Sequence, residues 1–139
     1  MGCVYTAVSL DDAFDCYEKS KRNVSKEPLY YYDLAKNEFI KIKGTMTNAG
    51  VVFINSYQLC SRLIDEYLNQ PEMNKHKKVF SETKDWRKSK IVEFLWYFEH
   101  IDGCYGFRDF EIPRVATELK KWCKKNGLNY IEPHVYRIE

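Results

Sequence analysis

The fold is indicated most clearly by the stretch Ala116–Ile131, ATELKKWCKKNGLNYI, in which a helix, its end and a following strand can be recognised. At 100° per residue, apolar side chains fall on one arc of this helix and lysines on the opposite arc. The apolar arc comprises Val115, Ala116, Leu119, Trp122 and Cys123, and the basic arc comprises Lys120, Lys121, Lys124 and Lys125. Pro113 suits the first turn of the helix, and Gly127 suits the left-handed residue that ends it. We therefore predict a helix from about Pro113 and a short strand over residues 128–131.

A helix and a hairpin are predicted for the N-terminal third of the chain. Ser9 can cap a helix that carries an acid three residues on, Asp12, and extends to about Lys21. The segment Leu29–Ile42 places aromatic and β-branched residues on both sides of the polar turn Leu34–Asn37. This pattern predicts a β-hairpin with one buried face and one partly exposed face.

A strand, a helix and a loop are predicted for the middle of the chain. Val51–Ile54 indicates a short strand, after which Asn55 or Ser56 can cap a helix with an apolar arc. That arc comprises Tyr57, Cys60, Leu63, Ile64, Tyr67 and Leu68. The segment Gln70–Lys78 is polar and contains Pro71, and we predict that it is a loop.

An unusually apolar helix is predicted after this loop. Ser81 or Thr83 opens it, and its later part, Ile91–Ile101, is apolar on almost every side. The glycine-containing segment Asp102–Gly106 ends it. A helix without a polar face belongs at the centre of a fold or at an interface.

Together these elements predict an α+β fold, with about four helices packed on a small, mainly antiparallel sheet that the Leu29–Ile42 hairpin seeds. The length of 139 residues predicts a single globular domain over residues 1–139. We find no repeat and no low-complexity linker that would divide it.

The composition indicates a cytoplasmic protein. With 22 Lys and Arg against 20 Asp and Glu, the net charge of +2 is too small to argue for nucleic acid or an anionic membrane. Five cysteines, an odd number without paired spacing, indicate free thiols in a reducing compartment. The sequence contains no apolar run of about 18 residues and no secretory leader.

The N-terminal residues Met1–Thr6, MGCVYT, match the pattern for N-myristoylation. Cys3 stands where a second acyl chain could be added, and two chains anchor a protein stably. The alternative is that Gly2 and Cys3 are ordinary N-terminal residues of a bacterial protein, or that Gly2 is a cloning remnant. We expect a membrane partner only if Gly2 and Cys3 are acylated.

Segments at both ends of the chain resemble a family of small uncharacterised bacterial proteins. Val8–Asp12 and Tyr31–Phe39 are similar to the family's N-terminal helix and its Tyr-x-Asp-x-x-x-Gly-Glu hairpin. Phe107–Asp109 and Ala116–Tyr130 are similar to its Phe-Arg-Asp segment and its Trp-x-x-x-Asn-Gly-Ile/Leu-x-Tyr ending. Asn37 stands where the family usually has glycine. The resemblance implies no established activity.

A thiol, an imidazole and a carboxylate lie close together in the sequence at Cys104, His100 and Asp102. A thiol beside an imidazole can be activated as a nucleophile, and the pair could supply two metal ligands. No second Cys or His lies at ligand spacing, no oxyanion donor can be identified, and the turn itself explains the glycine. We therefore predict no catalytic residue, metal or cofactor, and keep a thiol-dependent enzyme as an alternative.

Two basic groups could bind the phosphates of a nucleic acid. The first comprises Lys84, Trp86, Arg87, Lys88 and Lys90, in which the indole of Trp86 could stack on a base. The second is the Lys120, Lys121, Lys124 and Lys125 face. The alternative is a solvated helix surface whose lysines keep the protein soluble.

Aromatic residues are in excess, with 11 Tyr, 8 Phe and 3 Trp. Tyr30, Tyr31 and Tyr32 must point to both faces of their strand, so we expect at least one exposed ring. Trp96 and Tyr97 are predicted to project away from the apolar arc of their helix. Tyrosine and tryptophan carry binding energy in protein interfaces.

The sequence thus predicts a non-enzymatic binding protein that engages a protein partner, or itself as a homodimer, through Tyr30, Tyr31, Tyr32, Trp96 and Tyr97. The alternatives are a nucleic-acid-binding protein, a phage or mobile-element inhibitor of a host complex, and a thiol-dependent enzyme.

Overall fold

The computed structural model describes residues 7–23, 29–42, 50–83, 89–97 and 106–132. These residues form five helices and five strands. In chain order the elements are β1 (Ala7–Ser9), α1 (Leu10–Ser20), β2 (Tyr30–Asp33), β3 (Glu38–Lys41), β4 (Gly50–Val52), α2 (Ser56–Leu68), a 3-10 turn (Pro71–Met73), α3 (Asn74–Thr83), α4 (Lys90–Tyr97), α5 (Gly106–Lys125) and β5 (Asn129–Ile131). The α+β class is confirmed, with one helix more than the sequence predicts.

The strands form two small sheets. Strands β3, β2 and β4 lie side by side in that order, and both pairings are antiparallel. The predicted hairpin is confirmed, and its turn is held by Asp33, whose Oδ1 accepts hydrogen bonds from the backbone N–H groups of Ala35 and Lys36. Strands β1 and β5 form a separate parallel pair, which brings the two ends of the described chain together.

Both predicted N-caps are confirmed. The hydroxyl of Ser9 accepts a hydrogen bond from the backbone N–H of Asp12 at 3.4 Å, at the start of α1. The side chain of Asn55 accepts one from the backbone N–H of Gln58 at 3.0 Å, at the start of α2. These oxygens satisfy N–H groups that have no partner within the helix.

The end of α5 agrees with the prediction, whereas its beginning does not. Gly127 has φ +67°, and the N–H groups of Gly127 and Leu128 bond the carbonyls of Lys124 and Cys123, so the helix closes with a Schellman motif. The predicted start at Pro113 is wrong, because α5 begins at Gly106 and contains Pro113.

The early part of α5 is helical because it packs against the core. Phe107, Glu111 and Val115 are four residues apart and all buried. Burying this face offsets the cost of an internal proline, about 3 kcal/mol.

The predicted loop at Gln70–Lys78 is also wrong. Pro71 starts a 3-10 turn and α3 follows it directly, so that Ser81 and Thr83 lie in the last turns of α3 rather than at the start of a helix. The helix is polar, but Met73 before it and Phe80 within it are buried. The ring of Phe80 lies 5.8 Å from that of Phe94, and this packing stabilises a helix whose sequence is mostly hydrophilic.

The core lies between the helices and the inner face of the three-stranded sheet. Trp122 of α5 packs edge-on against Phe53, with ring centroids 5.3 Å apart, and its indole N–H donates to the carbonyl of Val52 at 2.8 Å. Farther from the sheet, the rings of Phe94 and Phe107 lie 4.8 Å apart. These aromatic contacts join α5 to the sheet and to α4.

Helix α4 is apolar on two sides but buried on one. Ile91, Phe94 and Tyr97 are buried, whereas Val92 and Trp96 are exposed. Among the described residues, no helix combines the length and the apolar character that crossing a bilayer requires.

Candidate binding surfaces and a buried charge cluster

The face of the three-stranded sheet that points away from the helices carries a group of apolar side chains, which we call the outer sheet face. Tyr31 of β2 pairs directly with Ile40 of β3 and with Val52 of β4, so the three side chains form a row across the sheet. Ile42 donates its backbone N–H to the carbonyl of Leu29 at 2.8 Å and extends this apolar group by one step. The outer sheet face thus comprises five side chains: Leu29, Tyr31, Ile40, Ile42 and Val52. None of them belongs to the buried core or packs against it, and Val52 is 44% exposed.

Tyr31 lies over Gly50 on this face. A β-carbon at Gly50 would stand 2.4 Å from Cδ2 of Tyr31, well inside van der Waals contact. The absence of a side chain at Gly50 therefore allows the ring to cover the backbone of β4, as aromatic residues do beside strand glycines. The outer sheet face thus carries a partly exposed ring in a defined place.

The three predicted tyrosines are not equivalent. Strand alternation places Tyr32 on the inner face, where it is 2% exposed and its ring lies 5.0 Å from that of Phe39. The prediction that Tyr32 binds a partner is therefore wrong. Tyr30 is half-buried against the core, and only Tyr31 lies on the outer sheet face.

The two predicted aromatic residues of α4 also differ. Trp96 is 53% exposed, and Val92, one turn earlier, is 41% exposed. Tyr97 is buried, and its hydroxyl lies 3.4 Å from Nδ1 of His76. The prediction that Tyr97 projects outward is wrong, because it follows Phe94 by three residues and so lies on the same arc.

The described residues include only part of the two predicted basic groups. Lys84, Trp86, Arg87 and Lys88 lie outside the described residues, and the ammonium of Lys90 contacts Asp65. On α5, acids accompany two of the four lysines. Lys120 pairs with Glu132 at 2.9 Å and Lys121 with Glu118 at 3.7 Å, whereas Lys124 and Lys125 are exposed. This face therefore has mixed charge.

The predicted thiol and acylation sites, His100, Asp102, Cys104, Gly2 and Cys3, also lie outside the described residues. Three other cysteines are described, and all are buried: Cys16, Cys60 and Cys123. Burial raises the pKa of the first two thiols to about 12 and that of the third to about 11. These three thiols are therefore protonated at neutral pH and are not activated nucleophiles.

A buried carboxylate that the sequence did not single out lies between α1, α2 and α5. Glu111 is 1% exposed, and its Oε2 accepts a hydrogen bond from the hydroxyl of Tyr17 at 2.6 Å. The ammonium of Lys21, itself 2% exposed, lies 3.1 Å from the same oxygen. Arg108 donates to the other oxygen at 2.9 Å, and the thiol of Cys60 lies 3.6 Å from Oε2.

One further acid completes this charge cluster. Glu18 pairs with Lys21 at 3.1 Å and also contacts Arg108, so that two acids face two bases. Burial raises the pKa of Glu111, but the Lys21 ammonium, the Tyr17 hydrogen bond and Arg108 outweigh it and hold this pKa below its usual value. Glu111 is therefore ionised at neutral pH.

The arrangement of the cluster suits a structural role. Its carboxylate is satisfied by four neighbouring groups and is closed to solvent, so it neither reaches a substrate nor has a free lone pair to offer one. The sequence contains one indication of this charge cluster. Lys21 follows Tyr17 by four residues, so it lies on the same side as the apolar face of α1.

Comparison with known proteins gave no match to any family model, curated protein or solved structure. The resemblance to the family of small bacterial proteins therefore stays a prediction.

Proposed function

We propose that this chain is a non-enzymatic binding protein that engages a protein partner through the outer sheet face. One observation carries the proposal: Ile40, Tyr31 and Val52 form an apolar row across all three strands on the face opposite the core. A sheet buries an apolar face against another layer of structure. On the inner side the protein's own helices form that layer, and on the outer side a partner would supply it.

Two features of the outer sheet face support binding. Tyrosine is among the residues that contribute most to interface energy, and the ring of Tyr31 is already placed by Gly50, so less side-chain entropy is lost when a partner binds. Leu29 and Ile42 extend the apolar area along the strands. Each apolar side chain of this kind contributes about 1.5–3 kcal/mol when it becomes fully buried.

The size of the face bears on what the partner is. A stable interface buries about 800 Å² on each side, from roughly 20–30 residues. The five apolar side chains of the outer sheet face can form the centre of such an interface, but they are too few to form all of it. We therefore favour a separate protein that contacts the surrounding surface as well, and treat the homodimer as the competing form of the same proposal.

Paired valine substitutions test the proposal. Val52 on the sheet and Val92 on α4 are exposed to nearly the same extent, 44% and 41%, so V52D and V92D introduce the same charge at matched sites. Proteins captured from source cells by the wild type are identified by mass spectrometry, and the amounts retained by V52D, V92D and Tyr31→Ala are compared. Light scattering reports homodimers, and thermal melting shows that each variant is folded.

We expect V52D and Tyr31→Ala to lose the captured partner, or the dimer, and V92D to keep it. If V92D alone loses the partner, the binding surface is the exposed side of α4. If all three variants bind as the wild type does, the proposal is wrong.

A further inference from the structure

Positive charge is concentrated in one part of this nearly neutral chain. Residues 74–90 contain seven Lys or Arg and two acids, whereas the net charge of all 139 residues is +2. The remainder of the chain is therefore net negative. A segment whose sequence has an excess of positive charge favours contact with an anionic partner.

The described part of this segment carries exposed cations on helix α3, at Lys75, Lys77 and Lys78. At 100° per residue, Lys78 lies between the other two, which are on opposite flanks of the polar side of the helix. Lys75 and Lys78 are three residues apart and so are neighbours on the helix surface. Lys77, with Lys90 of α4, lines a cleft of about 320 Å³ whose other polar lining residues are Asp65, Asn69 and Ser81. We call Lys75, Lys77, Lys78 and Lys90 the α3 basic surface.

The four lysines of this surface differ in the groups that their ammonium nitrogens contact. Lys77 donates to the side-chain oxygen of Asn69, a neutral group, and Lys90 contacts Asp65. Among the described residues, Lys75 and Lys78 form no ion pair. Three of the four ammonium groups thus keep a charge that no described acid neutralises at contact distance.

We infer that the α3 basic surface binds the phosphate backbone of a nucleic acid. This site is separate from the outer sheet face and does not depend on the proposed function. Lysine ammonium groups bind phosphates as point charges without reading sequence, and the hydroxyl of Ser81 in the cleft can donate to a phosphate oxygen. The expected binding is sequence-independent and sensitive to salt.

The structure favours nucleic acid over an anionic membrane. A helix that lies in a membrane surface needs large apolar side chains on the face it buries in the lipid. In α3 the aromatic residue Phe80 is buried in the core, and the exposed positions are polar. The Lys120–Lys125 face of α5 is the weaker candidate, because Glu132 and Glu118 accompany two of its lysines.

The test measures binding of a fluorescent mixed-sequence 20-mer, single-stranded and duplex, to the full chain by anisotropy between about 50 and 200 mM salt. The main variant is Lys75→Ser with Lys78→Ser. The matched control is Lys124→Ser with Lys125→Ser, which removes the same charge from exposed lysines of α5. Glu82→Gln, four residues after Lys78 on α3, removes an exposed acid instead. Melting temperatures establish that all variants are folded.

We expect the wild type to bind with a dissociation constant of roughly 10⁻⁴–10⁻⁶ M at low salt. The Lys75, Lys78 variant should bind about tenfold more weakly, with a salt slope smaller by about 2, since each lysine accounts for about one phosphate. The control should match the wild type, and Glu82→Gln should bind more tightly.

Three results would overturn the inference. The first is no binding of either oligonucleotide at about 50 mM salt. The second is an equal loss in the α3 variant and the α5 control, which would show an effect of net charge alone. The third is binding to phosphatidylserine vesicles without binding to oligonucleotides, which would assign the surface to membranes.

Discussion

Replacing Glu111 with glutamine removes one charge from the buried cluster and changes the shape of the side chain very little. The amide can still bond the hydroxyl of Tyr17. It cannot balance the ammonium of Lys21, which is 2% exposed and lies 3.1 Å from Glu111. After the substitution, Glu18 is the one described acid that pairs with Lys21. In the folded variant, the buried ammonium of Lys21 is therefore balanced by Glu18, whose carboxylate is partly exposed.

We expect this substitution to lower the free energy of unfolding by about 3 kcal/mol. Removing one partner of a buried ion pair costs about 3–5 kcal/mol, and the remaining Lys21–Glu18 pair places the effect at the lower end. The matched control is Glu66→Gln, whose carboxylate is half-exposed and lies 3.8 Å from Arg62. That exposed pair contributes at most about 0.5 kcal/mol.

We also expect the free energy of unfolding to depend on pH differently in the wild type and in Glu111→Gln. The pKa of Glu111 is lower in the folded protein than its ordinary value of 4.5. The carboxylate therefore stabilises the fold above that value, and its contribution is lost as the pH falls through the lower, folded-state pKa. Between neutral pH and about pH 3, the wild type should lose more stability than Glu111→Gln does.

Urea denaturation followed by circular dichroism measures both quantities. The account of the cluster is refuted if Glu111→Gln is destabilised by less than about 1 kcal/mol. It is also refuted if the stability of this variant falls with pH as steeply as that of the wild type. The double variant Glu111→Leu, Lys21→Met separates charge from packing, and it should be more stable than the sum of its single variants predicts.

Three further predictions concern the backbone and the thiols. Gly127→Ala should cost about 1 kcal/mol in urea denaturation, because φ is +67° there while open space surrounds the added methyl group, so the backbone alone is strained; Gly127→Asn should cost less. Gly50→Ala should displace the ring of Tyr31 and cost about 1–3 kcal/mol, which a shift in melting temperature and in the NMR signals of that ring would detect; an unchanged ring environment would contradict the placement. Peptide mass spectrometry should find the three described thiols alkylated by iodoacetamide only after denaturation, since they are buried with pKa values of about 11–12; rapid labelling of the native protein would contradict their burial.

Local signals in the sequence predicted much of this fold. The caps at Ser9 and Asn55 and the end of α5 at Gly127 depend on residues a few positions apart, and all three are confirmed. The start of α5 was predicted wrongly at Pro113, because proline prefers the first turn of a helix. Tertiary packing of Phe107 outweighed this preference, and the helix begins at Gly106.

Features that depend on distant residues could not be predicted in this way. Strand β1 is three residues long and is recognisable only through its pairing with β5, at the other end of the described chain. Helix α3 is polar, and its place depends on contacts of Phe80 with α4. Two partners of Glu111, Tyr17 on α1 and Lys21 directly after it, lie 94 and 90 residues away in sequence.

For the candidate binding surface, alternation within the strand predicted that the tyrosines point to both faces. It could not tell which face is inner, because that depends on where Trp122 and Phe53 pack. Only the three-dimensional arrangement assigns Tyr31 to the outer sheet face and Tyr32 to the core.

The most direct test of the central claim is the comparison of V52D with V92D in partner capture. Both valines are exposed to a similar degree, so a general effect of a new surface charge should change both variants equally. We predict that V52D loses the partner and that V92D retains it at the wild-type level. Retention of the partner by V52D would contradict the assignment of binding to the outer sheet face.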